Sequence, residues 1–169
     1  MKYPNLGPID QLEVVTYADA AHANLPSGAS QGGMIIFLVG NGKIAPITWH
    51  SKKLDRVAKS ALAAETMAQA KVADTGILIS KMVEELYKIP MTLVKCHTDS
   101  KSLVDHLGTS HIIQDARLRV DVARIKEIVA IGEISMTWVK KEYQLANSLT
   151  KAGASSRSLL DVLRLGRFQ

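Results

Sequence analysis

The sequence predicts an α/β domain built on a mixed β-sheet flanked by helices. Three strand-like apolar runs joined by short, turn-rich connections come first, which is the pattern of an antiparallel meander. A long stretch with apolar residues spaced by three and four follows, and a fourth strand-like run is entered directly from it, as a parallel partner requires. Three acids stand at the ends or openings of these apolar runs.

Residues 1–11 hold two prolines and a glycine before any periodic pattern and read as an irregular lead-in, with one domain over 12–169. Glu13 to Asp19 reads as a strand, Asn24 to Gly33 as a glycine-rich loop, and Met34 to Val39 as an apolar strand. Gly40-Asn41-Gly42 turns the chain into a third strand, Ile44 to His50, where Pro46 points to a sheet edge. From Val57 to Tyr87 the period is helical, with Gly76 a candidate kink, and Pro90 lies beyond its end. Met91 to Thr98 reads as a strand, a short helix follows Asp99, and Asp115 to Ile131 is an amphipathic helix capped by Gly132. Ile134 to Val139 is the last strand, with closing helices over 143–149 and 155–165.

A chain of 169 residues can bury roughly 70% of its unfolded surface without staples. The single cysteine, Cys96, excludes a disulfide framework and reads as a small buried hydrophobe. No signal-peptide pattern and no long apolar run is present, so the expectation is a soluble, intracellular protein, cytoplasmic or nuclear. The net charge of +5 permits a polyanionic partner.

Asp19 closes the first strand, Asp99 closes the fourth, and Glu65 lies in the small, apolar opening Ser60-Ala61-Leu62-Ala63-Ala64 of the long helix. A carboxylate in such a setting is costly unless it is paired or bound to a metal. Hard divalent cations are held by a few carboxylates, and three acids converging on a sheet edge suit two-metal phosphoryl transfer. Taken singly, each Asp is also a common strand-end turn residue.

The chain resembles the ribonuclease H domain of LTR-retrotransposon polyproteins, most closely the copia class. The words that carry the resemblance run in family order over residues 14–151: Tyr17-Ala18-Asp19-Ala20, Ser30-Gln31-Gly32-Gly33, Ile47-Thr48-Trp49-His50-Ser51-Lys52-Lys53, Ala63-Ala64-Glu65, His97-Thr98-Asp99-Ser100-Lys101-Ser102 and Gln144-Leu145-Ala146-Asn147-Ser148-Leu149-Thr150-Lys151. The resemblance implies a ribonuclease H-like fold, a five-stranded sheet of order 3-2-1-4-5, and cleavage of the RNA strand of RNA/DNA hybrids during reverse transcription. It implies two Mg²⁺ ions, replaceable by Mn²⁺, on Asp19, Glu65, Asp99 and the residue at position 147. It also brings in a reverse transcriptase domain upstream in the same polyprotein, and a virus-like particle, as candidate partner and location. Where the motif ends in Asp, this chain has Asn147, which offers a neutral oxygen. An inactivating change, decay of an element copy and a branch working with three acids are all open. A catalytically inactive hybrid-binding module of the same fold is the alternative function.

For the nucleic acid, the resemblance places ribose readout at Ala20, Ala21 and Asn24. Lys52, Lys53, Arg56 and Lys59 form a basic run into the helix, and Ser60 at its start could offer a phosphate a hydroxyl or N–H. Arg117, Arg119 and Arg124 form a weaker basic face, and Asp161 reads as a helix-surface acid. His97 and His22 are near the acids in sequence; His50, His106 and His111 read as surface residues, and Trp49 and Trp138 as core.

Overall fold

A computed structural model describes residues 4–109 and 113–168, so the readings of His111 and of residues 1–3 lie outside the described residues. The elements are β1 (Glu13–Ala21), β2 (Gln31–Gly40), β3 (Lys43–Lys53), α1 (Ala61–Tyr87), β4 (Val94–Thr98), α2 (Lys101–Gly108), α3 (Ala116–Ala130), β5 (Ile134–Trp138) and α4 (Arg157–Leu165). They form a five-stranded mixed sheet of order β3-β2-β1-β4-β5. β1, β2 and β3 pair antiparallel, whereas β4 is parallel to both β1 and β5.

β1 is buried along nearly its whole length because both of its faces are covered. Val14, Ala18 and Ala20 face α1 and α3, packing with Ala64, Ala68, Val72, Val122 and Ile125. Val15 and Tyr17 face the other side, packing with Ile35, Phe37, Leu145, Ala146, Leu159 and Val162. Such two-sided burial is what continuous apolar runs in strands signify.

Pro46 does lie on an edge strand, beside a bulge: Phe37 pairs with Pro46 and Ile36 with Thr48, leaving Ile47 unmatched. The missing proline N–H is tolerated there because no second strand needs it. α1 begins at a Ser60 cap, whose hydroxyl accepts from the Ala63 N–H, and ends where Lys88 enters the left-handed region at φ 57°.

Several expectations need correction. Gly76 neither kinks nor breaks α1, which runs unbroken from Ala61 to Tyr87. A β-carbon there would lie 2.8 Å from Val94 Cγ1 and 3.1 Å from Thr16 Cγ2, so the glycine serves close helix–sheet approach. Residues 143–149 do not form a helix; 3-10 turns at Lys141–Tyr143 and Asn147–Leu149 flank an extended Gln144 that hydrogen-bonds back to β1. Trp49 and Trp138 are not core: they sit on the two edge strands and are 53% and 44% exposed. Among the described residues no helix is long and apolar enough to cross a membrane.

Candidate active site

β1 and β4 are adjacent and parallel, so their C-terminal ends emerge side by side, and these ends carry Asp19 and Asp99. Glu65, in the second turn of α1, leans over the same edge, where the Ala20 backbone amide helps to offset the rise in its pKa. Carboxylate oxygens of Asp19, Glu65 and Asp99 all lie within 4.8 Å of one another. Asp19 is fully buried. Burial, then the charges of Asp19 and Asp99, push Glu65 up to about 8; burial and Asp19 likewise raise Asp99. The Lys151 ammonium pulls both back down, but burial and the like charges outweigh it, as expected where three acids are crowded together. Hard oxygen donors at this separation fit a divalent cation such as Mg²⁺ or Mn²⁺.

Asn147 is close to the cluster but acts through another residue. Lys151 Nζ lies 3.0 Å from Asn147 Oδ1 and 3.3 and 3.5 Å from the two Asp19 oxygens. The Thr150 hydroxyl donates to Asp19 Oδ2. The motif around these residues was visible in the sequence, but the contacts of Thr150 and Lys151 with Asp19 were not.

The segment bearing these side chains is clamped to the sheet. Gln144, buried, donates from Nε2 to the Ala18 carbonyl at 3.0 Å and accepts from the Ala146 N–H at 3.3 Å. Gln31 Nε2 donates to Ser51 Oγ and the Leu149 carbonyl, and Ser51 Oγ donates to that same carbonyl. Gly33 pairs with Asp19, and a β-carbon on it would lie 2.7 Å from Leu149 Cβ and 2.8 Å from Thr150 Cγ2. Its missing side chain is what lets 146–150 reach the acid. On the β5 side, Trp138 Nε1 donates to the Asp99 carbonyl at 3.2 Å, which fixes that backbone.

The proposed nucleic-acid residues divide into two groups. Ala20 and Ala21 are not an exposed tip but the last residues of β1, both buried, because β1 stays paired with β2 as far as Gln31. Asn24 is exposed, yet its side chain donates to the Thr150 carbonyl and to Gln31 Oε1. Ser60 is spent in part on capping α1. Arg56 is paired with Asp121, and Lys59 lies 3.3 Å from Asp115, so both tie the loop before α1 to α3. Lys52 and Lys53 end β3 on the edge of the sheet that bears Asp19, since Lys53 pairs with Gln31 and Gln31 with Ala21. Both are exposed, Lys52 with only a 4.0 Å contact to Asp55. They line a groove against α1 with His50, Arg56 and Lys71. Arg124 contacts Asp74 and Glu127, so the α3 basic face is partly neutralised. Asp161 faces Arg157 on α4, at 3.8 Å.

His97 stacks on Tyr17 at 4.7 Å with Nδ1 3.3 Å from the Thr16 carbonyl. It lies a layer beneath Asp99 and is held by that packing. His22 Nε2 lies 3.1 Å from the Ala58 carbonyl. His50 and His106 are half-buried, and Cys96 is wholly buried.

No protein-family model and no curated protein matches the chain. Solved structures do. Ribonuclease H1 from the archaeon Halobacterium salinarum aligns with TM-score 0.61 at 18% identity, covering 88% of this chain and 98% of that one. LC11-RNase H1 in complex with RNA/DNA hybrid aligns with TM-score 0.59 at 15% identity, covering 82% and 94%. The foamy viral protease-reverse transcriptase in complex with RNA/DNA hybrid gives 0.59 at 14%, covering 88% of this chain and 21% of that one. The fold is therefore the ribonuclease H fold.

Proposed function

We propose that this protein hydrolyses the RNA strand of RNA/DNA hybrids as the ribonuclease H domain of a copia-class retrotransposon polyprotein. The observation that carries the reading is the meeting of Asp19, Glu65 and Asp99 within 4.8 Å at the ends of two central parallel strands. Asp19, Glu65 and Asp99, with the Asn147 amide oxygen, would hold two Mg²⁺ ions, or Mn²⁺ in their place. When bound, the ions supply an activated water and offset charge on the leaving 3′-oxygen.

The chain's own residues supply position. The Asp19 carboxylate is held by Thr150 and Lys151, and Trp138 holds the Asp99 backbone, so these parts of the site are in place before substrate arrives. Lys52 and Lys53, with Ser60 and the α1 N-terminus behind them, would engage phosphates of the hybrid. Arg56 and Lys59 contribute to that field while bracing the loop to α3. Ribose readout falls to Asn24 and to backbone near Ala20 and Ala21 rather than to the alanine side chains. Hydrolysis breaks the bond between phosphorus and the 3′-oxygen, leaving 3′-hydroxyl and 5′-phosphate ends. A reverse transcriptase domain preceding this one is the proposed partner.

A second reading, an inactive hybrid-binding module, is favoured by the contact of Asn147 with an ammonium rather than a free coordination position. The test is a hybrid labelled separately on each strand and incubated with Mg²⁺ or Mn²⁺. Cutting of the RNA strand alone, stopped by a chelator, supports the enzyme; binding without cutting in either metal supports the module.

A further inference from the structure

We infer that Lys151 is a tethered counter-cation of the acid cluster, standing on its Asp19–Asn147 side where a divalent ion would share Asp19, so that it weakens divalent-cation binding there. This rests on the reading of Asp19, Glu65 and Asp99 as a divalent-cation site. The ammonium lies between Asn147 Oδ1 at 3.0 Å and both Asp19 oxygens at 3.3 and 3.5 Å. Asp19 is 0% exposed, and a carboxylate so buried is stable only with a partner. Its Oδ2 also accepts from Thr150, so both oxygens are already engaged.

Asn147 completes the arrangement. Its neutral oxygen accepts a hydrogen bond from Lys151 and adds no negative charge that would draw a second divalent ion into the same space. Lys151 follows Asn147 by four residues, and the 3-10 turn at Asn147–Leu149 brings the lysine back over the amide. The clamp of Gln31 and Ser51 on the Leu149 carbonyl holds that turn. An ammonium and a divalent ion on one carboxylate repel each other, so the lysine must withdraw before a second ion binds.

The test is Mn²⁺ titration of the full chain without nucleic acid, by calorimetry and by the paramagnetic resonance of free Mn²⁺. The parent is expected to bind Mn²⁺ weakly. Lys151→Met should tighten that binding by about tenfold or admit a second ion, because a like charge is removed from the shared carboxylate. Lys151→Arg, which keeps the charge, should behave as the parent. Equal Mn²⁺ binding by the parent and Lys151→Met, with loss in Asp99→Asn, would overturn the role of Lys151 and leave the cation site standing. No Mn²⁺ binding in any variant, Asn147→Asp and Lys151→Met included, would overturn both readings. If Lys151→Met is unfolded without metal, refolding by added Mn²⁺ supports the inference and failure to refold contradicts it.

Discussion

Asp19 and Asp99 look equivalent in sequence, yet their surroundings give them opposite effects on stability. Asp19 is fully buried and paired with Thr150 and Lys151, so Asp19→Asn leaves that ammonium without its counter-charge. Its metal-free form is expected to lose on the order of 1–2 kcal/mol, a Tm drop of a few degrees. Asp99 is held above its ordinary range by burial and by Asp19, so Asp99→Asn removes repulsion and should raise the metal-free Tm while abolishing cleavage. Thermal melts of the two variants side by side check this. Glu65 sets the pH dependence. It goes from an ordinary 4.5 to about 8, so between those values the folded chain keeps a proton that the unfolded chain has lost. Stability of the metal-free protein should therefore fall as pH rises through that window. On the proposed reading Mn²⁺ binds the ionised acids and should flatten or reverse the slope, as melts across pH with and without it would show. The three acids were legible because each interrupts an apolar run, a local signal. Lys151 was not, because its contact with Asp19 spans 132 residues of chain and depends on a turn that no periodicity marks.

At the level of elements, glycines decide how closely segments approach the site. Gly33→Ala would drive a β-carbon into Leu149 and Thr150, lifting 146–150 from β2, so Lys151 and Thr150 would leave Asp19. The expected result is a strong loss of cleavage with only modest loss of helix signal. Gly76→Ala gains helix propensity but overpacks against Val94 and Thr16, for a net cost of about 1–2 kcal/mol by chemical denaturation. The strands and α1 were readable from their periods, with β1 extending two residues past Asp19 because pairing with β2 continues. The failures share a cause. Gly76, the tryptophans and the 143–149 segment each depend on which element packs opposite, and hydrophobicity along the chain does not encode that. Trp49 and Trp138 are apolar residues on the edge strands, left half-open because among the described residues no further strand lies beside them.

For the whole molecule, with a net charge of +5 and Lys52 and Lys53 on the acid-bearing edge, the proposed hybrid binding would be dominated by phosphate contacts. Affinity should fall steeply with salt and vary little with base sequence. Lys52→Ala with Lys53→Ala should flatten the salt slope, whereas Arg56→Ala, which breaks the pair with Asp121, should cost stability more than slope. Equilibrium binding across ionic strength separates the two. The overall topology was accessible from sequence because short connections and two helical crossovers leave few ways to order five strands. On the proposed reading, activity turns on position 147. The most direct measurement compares single-turnover cleavage of a labelled RNA/DNA hybrid by the parent, Asn147→Asp and Asp99→Asn in Mg²⁺ and in Mn²⁺. Weak or Mn²⁺-dependent cutting by the parent, a gain of at least about tenfold in Mg²⁺ for Asn147→Asp, corresponding to about 1.4 kcal/mol, and none for Asp99→Asn are predicted. An Asn147→Asp protein that binds hybrid yet cuts in neither metal, or an Asp99→Asn protein that cuts as fast as the parent, would contradict the account.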